Sequence, residues 1–442
     1  MRNSLKCLLF LLLLSVNQLH AQSKIRPSFK FDFGSSDLQS GYTQINTETQ
    51  YTPEIGFGFD FKTVPNFAEQ GIGDALTKDY AISDQPFYFS VKLPEGNYKV
   101  KVLLGNPDGN SKTTIKAESR RLMLQNIVPA KGEFKYETFI VNIKDRNIDA
   151  NKKVSLKPRE NNKLDWDDKL TLEFDVNPCV AAIEITPVDD QITVFLAGNS
   201  TVVNQDDEPW ASWGQMIPYF FKPGVAIANH AESGLTLGSF LGSHRLEKIL
   251  SVMKKGDYLF IEFGHNDQKE KGPKDGAYQS YTERLKYFVK TFREKGGIPV
   301  IVTSTSRRSF DTAGKVVETL GDYPDAARKV AAELKVPLID LNKETKFFYE
   351  ALGVEESKKA FVHYPANTYP GQTTALADNT HFNPYGAYQI AKIIVQGVMD
   401  QKIKIKKYII NFDGFNASKP DTLDSWYWPE SLRSDVLKPD GN

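Results

Sequence analysis

Ile192-Thr193-Val194-Phe195-Leu196-Ala197-Gly198-Asn199-Ser200-Thr201 is the stretch from which the rest of the chain is read. Its first part is apolar at consecutive rather than alternate positions, the mark of a strand covered on both faces, as in parallel sheets flanked by helices. The small residues that follow permit a sharp turn at the strand's carboxyl end. Residues 258–263, 298–303 and 336–341 repeat the apolar style. Helical stripes lie between them. In 278–295, Tyr281, Leu285, Phe288, Val289 and Phe292 share one face, and Gly296-Gly297 ends it. Residues 325–335 and 390–399 read as further helices. Strands alternating with helices predict an α/β fold with a doubly wound parallel sheet.

Upstream the pattern differs. Residues 29–33, 87–93, 98–104, 113–118, 134–143, 169–174 and 181–188 are short strand-like runs, separated by turns such as Leu93-Pro94-Glu95-Gly96-Asn97. Many short strands without a helical period predict an all-β sandwich. The expected organisation is a leader over 1–21, the sandwich over 22–188, the α/β domain over 189–410 and an extension over 411–442. Trp426 and Trp428 predict that this extension packs on a domain, because bare tryptophans in a free tail are costly. Tyr51, Phe57 and Phe59 are assigned to the sandwich core.

The 442 residues are 40% hydrophobic and 25% charged, and Lys plus Arg equals Asp plus Glu at 55 each. With no net charge, no global field argues for nucleic acid or an anionic membrane as a partner. Arg2 and Lys6 followed by the apolar run 7–16, with Ala21 at a cleavage position, read as a secretory signal too short to span a bilayer. Of the two cysteines, Cys7 lies in that leader, so Cys179 has no internal partner and is expected in the core. An exported chain of this kind points to a bacterial periplasm or to secretion by a bacterium. Oligomeric state is not legible.

In an open α/β sheet ligands bind at the carboxyl ends of the strands, so the residues there are the candidates. Ser200 follows the first strand. A serine after glycine in a turn is ordinarily a turn residue and nothing more. Phe263-Gly264-His265-Asn266-Asp267 follows another strand, and the Asn266 amide there could donate to a developing oxyanion or simply shape the loop. Gly234, in Ala231-Glu232-Ser233-Gly234-Leu235, could offer its N–H to the same charge. Asp378-Asn379-Thr380-His381-Phe382-Asn383-Pro384 ends in a helix N-cap and first-turn proline, placing Asp378 and His381 on the preceding loop. A serine nucleophile needs a base, and the base needs an orienting carboxylate. His265 is the rival base. No His-x-x-x-His or Cys-x-x-Cys spacing occurs, so neither a metal nor another cofactor is expected.

Together these pieces resemble the blocks of the SGNH (GDSL-like) hydrolases, whose fold is a flavodoxin-like doubly wound sheet. The resemblance implies a catalytic triad of Ser200, Asp378 and His381, and an oxyanion hole of Ser200, Gly234 and Asn266. The wording of 195–202, Trp213-Gly214-Gln215, 263–267 and 379–382 is similar to rhamnogalacturonan acetylesterases, carbohydrate esterase family 12. The leading β region is similar to galactose-binding-like sandwiches. What this implies is a serine esterase removing acetyl groups from pectic polysaccharide. An esterase for another acetylated glycan or a lipid, and a non-catalytic carbohydrate-binding protein, are the alternatives. Asn199 stands where the superfamily has aspartate, and Leu235 where a polar residue is expected. Arg307-Arg308 could pair with uronates, and Trp210 and Trp213 could stack on sugars; each has an ordinary structural use as well.

Overall fold

The structure, a computed structural model, describes residues 26–70, 73–433 and 438–440. The predicted leader 1–21 lies outside the described residues.

Five parallel strands run in the spatial order Val225–Asn229, Ile192–Gly198, Tyr258–Glu262, Ile298–Val302 and Leu338–Ile339. Numbered along the chain this is 2-1-3-4-5, the flavodoxin-like order, in which the direction of winding reverses beside the first strand. Consecutive apolar residues are explained by two cores. Val194 and Leu196 pack with helix Pro384–Asp400 on one side. Phe195 and Ala197 pack with helices Thr282–Glu294 and Tyr323–Leu334 on the other. The first strand therefore has no solvent face.

Residues 29–187 form two facing sheets, antiparallel except for the parallel pairing of Phe29–Phe33 with Thr43–Ile45. One runs Phe134–Ile143, Gly96–Gly105, Cys179–Pro187, Phe29–Phe33, Thr43–Ile45, with Asp79–Ile82 also paired to Cys179–Pro187 and Asn66–Glu69 paired to Asp79–Ile82. The other runs Phe57–Asp60, Phe87–Lys92, Lys169–Asn177, Lys112–Ala117, Arg121–Ile127. Phenylalanines fill the space between them: the Phe89 ring meets Phe31 at 5.1 Å and Phe33 at 5.2 Å. Phe59 is fully buried and Phe57 is packed against the same core. Tyr51 is half-buried, with the Lys169 ammonium 4.5 Å above its ring. Cys179 is buried.

The extension lies on both domains. Lys116 donates to the Pro429 carbonyl at 2.7 Å, and Trp428 donates to Glu208 at 3.0 Å. Trp426 and Trp428 stack on each other.

The domains are joined by buried charge. Arg245, at the start of helix Arg245–Val252, donates to both oxygens of Glu160 at 2.7 and 2.6 Å, and both side chains are inaccessible to solvent. Trp166 donates to the same carboxylate at 3.1 Å. Burial alone would raise the Glu160 carboxyl; the Arg245 charge and hydrogen bonds hold it below its ordinary value instead. Lys163 likewise meets Glu232 at 3.1 Å and Asp206 at 3.0 Å. Removing one partner of a buried pair strands the other charge, which costs about 3–5 kcal/mol. Glu160→Ala is therefore expected to lower unfolding stability by about that amount in denaturant titration. The double variant Glu160→Ala with Arg245→Met, which removes both charges, is expected to recover most of the loss.

Candidate active site

Gly198 ends the first strand where the chain runs against its neighbour: a Cβ there would lie 2.4 Å from Val202 and 3.1 Å from the Glu262 carbonyl. The turn that follows is fixed by Asn199. Its Oδ1 accepts the N–H of Thr201 at 3.2 Å and the Thr201 hydroxyl at 3.0 Å, and its carbonyl accepts the N–H groups of Val202 and Val203 at 3.0 Å each. An amide therefore makes the bonds the turn needs without bringing a charge. The Thr201 hydroxyl also lies 2.8 Å from Glu262 Oε1, while Trp213 donates to Oε2 at 2.6 Å. That hydroxyl has one proton. It is shared between two acceptors, Asn199 Oδ1 and Glu262 Oε1, so Thr201 links the turn to the carboxyl. Burial pushes the wholly buried carboxyl up to about 7 against the opposing Trp213 and Thr201 bonds and the Thr305 backbone N–H.

Ser200, held at the top of this turn and 4% exposed, meets His381 Nε2 with its Oγ at 2.8 Å. His381 Nδ1 lies 2.7 Å from Asp378 Oδ2. Asp378 Oδ1 accepts the backbone N–H groups of Thr380 at 2.8 Å and His381 at 3.0 Å. Burial would raise this carboxyl, but the His381 side chain and those two N–H groups outweigh it and hold Asp378 well below the usual carboxylate range. An ionised Asp378 can only accept, so Nδ1 carries the imidazole proton and Nε2 presents its lone pair to Ser200. The expected loop for Asp378 and His381 is instead the strand Leu376–Phe382, paired with Phe361–Tyr364 through an irregular register. Pairing between two short distant strands leaves no local sequence signal. Asn383 caps the next helix by accepting from Gly386 at 3.0 Å.

Three donors face the same edge of the sheet. Among the described residues, no acceptor takes the N–H of Ser200 or of Gly234. Asn266 donates one amide proton to the Leu235 carbonyl at 3.2 Å and accepts from Lys269 at 3.2 Å, which fixes the amide and leaves its second proton. Gly234 has φ +75°, the left-handed region suited to glycine. Leu235 is buried in the core with Leu237 and Phe240, so a polar residue there would be desolvated rather than offered to a ligand.

Other candidates are used elsewhere. Arg308 donates to Ser357, to Asn379 and to the Val354 carbonyl, and is 9% exposed; it clasps the hairpin rather than reaching a ligand. Arg307 donates to Thr319 and lies at the limit of a bond to the His265 carbonyl, at 3.5 Å. Trp210 is 2% exposed and Trp213 0%, so neither ring face is open to a sugar, correcting the stacking expectation. His265 is buried with neither ring nitrogen bonded among the described residues; burial first, then the nearby Arg307 charge, pushes it well below its ordinary value, and Ser200 is paired with His381 instead. Sequence reading missed Glu262 and Trp213 as supports of the turn, since their contact with each other and with Thr201 is long-range.

The sequence profile of the GDSL-like lipase/acylhydrolase family matches residues 196–388. The profile described as beta-agarase/YXIM esterase-like, galactose-binding domain-like, matches residues 29–152. Rhamnogalacturonan acetylesterase RhgT of Bacillus subtilis (strain 168) is 44% identical over 225 residues, 50% of this chain and 96% of that protein. The uncharacterised esterase YxiM of the same organism is 25% identical over 390 residues, 85% of this chain and 91% of that one. A solved structure of YxiM covers 85% of this chain and 99% of its own at 24% identity, with a TM-score of 0.45.

The Glu262 proton gives a pH test. With a folded value near 7 against an ordinary 4.5, the carboxyl's contribution is complete below about 4.5 and is lost as pH rises through 7, a swing of about 3 kcal/mol. Glutamine imitates the neutral acid, donating to Thr201 and accepting from Trp213. Glu262→Gln is expected to flatten this part of the stability–pH curve and to match or exceed the wild type in denaturation midpoint at pH 9.

Proposed function

Because the chain belongs to the GDSL-like lipase/acylhydrolase family and is a carboxylic ester hydrolase of the SGNH type, we propose that it removes O-acetyl groups from a pectic polysaccharide, rhamnogalacturonan, through an acyl-enzyme on Ser200. The observation that carries the roles is the 2.8 Å contact between Nε2 of His381 and the Ser200 hydroxyl. Ser200 Oγ attacks the acetyl carbon while its proton passes to Nε2. The carbonyl oxygen becomes an oxyanion beside the N–H groups of Ser200 and Gly234 and the Asn266 amide. Collapse breaks the ester bond, and the sugar oxygen leaves with the proton from Nε2. Water repeats the sequence, losing its proton to His381, and acetate leaves with Ser200 restored. Asp378 stays ionised throughout, orienting the ring and balancing the imidazolium.

Acetyl as the acyl group and rhamnogalacturonan as the polymer are supported by the likeness to RhgT across the α/β domain. We further infer export to the periplasm or the medium. Support for it is the leader-like run after Arg2 and Lys6, and a polymeric substrate fits that location.

Acetate release from acetylated rhamnogalacturonan, from acetylated xylan and from a long-chain ester tests the reading. The expected result is preference for the first. Preference for the long-chain ester would overturn the acetyl assignment, and preference for xylan the pectic one. Ser200→Ala is expected to abolish all but residual turnover. Asn266→Ala is expected to reduce kcat by roughly a hundred- to a thousandfold, and wild-type kcat in that variant would remove Asn266 from the oxyanion hole.

A further inference from the structure

We propose that Lys157 and Arg159 form a carboxylate-binding subsite beside Gly234 that takes the uronate group of an acidic polysaccharide. Both residues come from the segment of the sandwich domain that lies against the α/β domain, at the start of the short helical turn Pro158–Asn162. The subsite already holds a carboxylate of this chain. Lys157 Nζ is 3.1 Å from Asp440 Oδ2, and Arg159 Nη1 is 3.5 Å from Asp440 Oδ1, so two cations grip the two oxygens of one group. Lys157 also donates to the Ser233 carbonyl at 2.5 Å. The next residue is Gly234, where an added Cβ would stand 3.0 Å from both Lys157 Nζ and Asp440 Cβ. The bound carboxylate is thus the immediate neighbour of one proposed oxyanion donor.

Exposure separates these two cations from others nearby. Lys163 and Arg245 are buried and committed to Glu232, Asp206 and Glu160. Lys157 and Arg159 keep 29% and 21% of their side-chain surface, and Asp440 keeps 50%. Arg159 Nε reaches Glu232 only at 4.0 Å. Exposed ion pairs of this kind are weak, so the Asp440 carboxylate is exchangeable for another one presented by a ligand. A sugar chain that places an acetyl ester at Ser200 and a uronate at the subsite would satisfy both sites. A neutral glycan would leave Asp440 in place. This supplies a uronate contact that Arg308, committed to Ser357, Asn379 and the Val354 carbonyl, does not.

The subsite deepens the polysaccharide-esterase reading and rests on it for the acetyl group, but binding tests it without turnover. The full chain is titrated calorimetrically with de-esterified oligogalacturonate and with neutral xylo-oligosaccharide. Oligogalacturonate is expected to bind more tightly than xylo-oligosaccharide. Arg159→Gln is expected to weaken that binding about tenfold, and Asp440→Asn to tighten it roughly threefold by vacating the subsite. The ratio of kcat/KM for acetylated rhamnogalacturonan over acetylated xylan should move in the same two directions. Equal oligogalacturonate affinity in the wild type and both variants, each with a native circular dichroism spectrum, overturns the subsite. Binding that shifts as expected while neither polymer is deacetylated upholds the subsite and overturns the esterase reading.

Discussion

A carboxyl group taken out of water must be paired, hydrogen-bonded or neutral, and this constraint runs through the whole molecule. Glu160 is paired, and with Arg245 it pins the sandwich to the α/β domain. Asp378 keeps its charge because an imidazole and two backbone N–H groups surround it. Glu262 lacks a cation, so burial raises its carboxyl to about 7 against its hydrogen bonds, and it is joined to the serine turn through Thr201. Each solution sets a different property: domain docking, tautomer of the base, and shape of the turn.

The buried charges also explain why the sandwich is more than an appended module. Lys163 ties Glu232, and Lys157 ties the Ser233 carbonyl, so the loop carrying Gly234 is braced from the other domain. The position of that N–H therefore depends on the interdomain contact as much as on the sheet.

Much of this architecture was legible in the chain itself. Apolar runs such as 192–197 marked the buried strands, since a strand between two cores cannot alternate. The Asn383-Pro384 signal located a helix start through local backbone chemistry. Other elements were not visible. Val225–Asn229 is a short strand defined by its pairing with Ile192–Gly198, and the predicted strand 336–341 narrows to Leu338–Ile339 because its partner ends there. The strands Thr43–Ile45, Asn66–Glu69 and Arg121–Ile127 likewise depend on neighbours rather than on their own composition.

By itself, the sequence determined the alternation of strands and helices and the small set of side chains able to do ester chemistry, because both follow from local residue type and spacing. Which of those side chains meet was decided only by the tertiary structure. Ser200 and His381, 181 positions apart, touch because the turn after the first parallel strand meets the separate two-stranded pair that carries His381. Arg308, Trp210 and Trp213 turned inward for the same reason: solvent access and hydrogen-bond partners are properties of the packed chain, not of residue type.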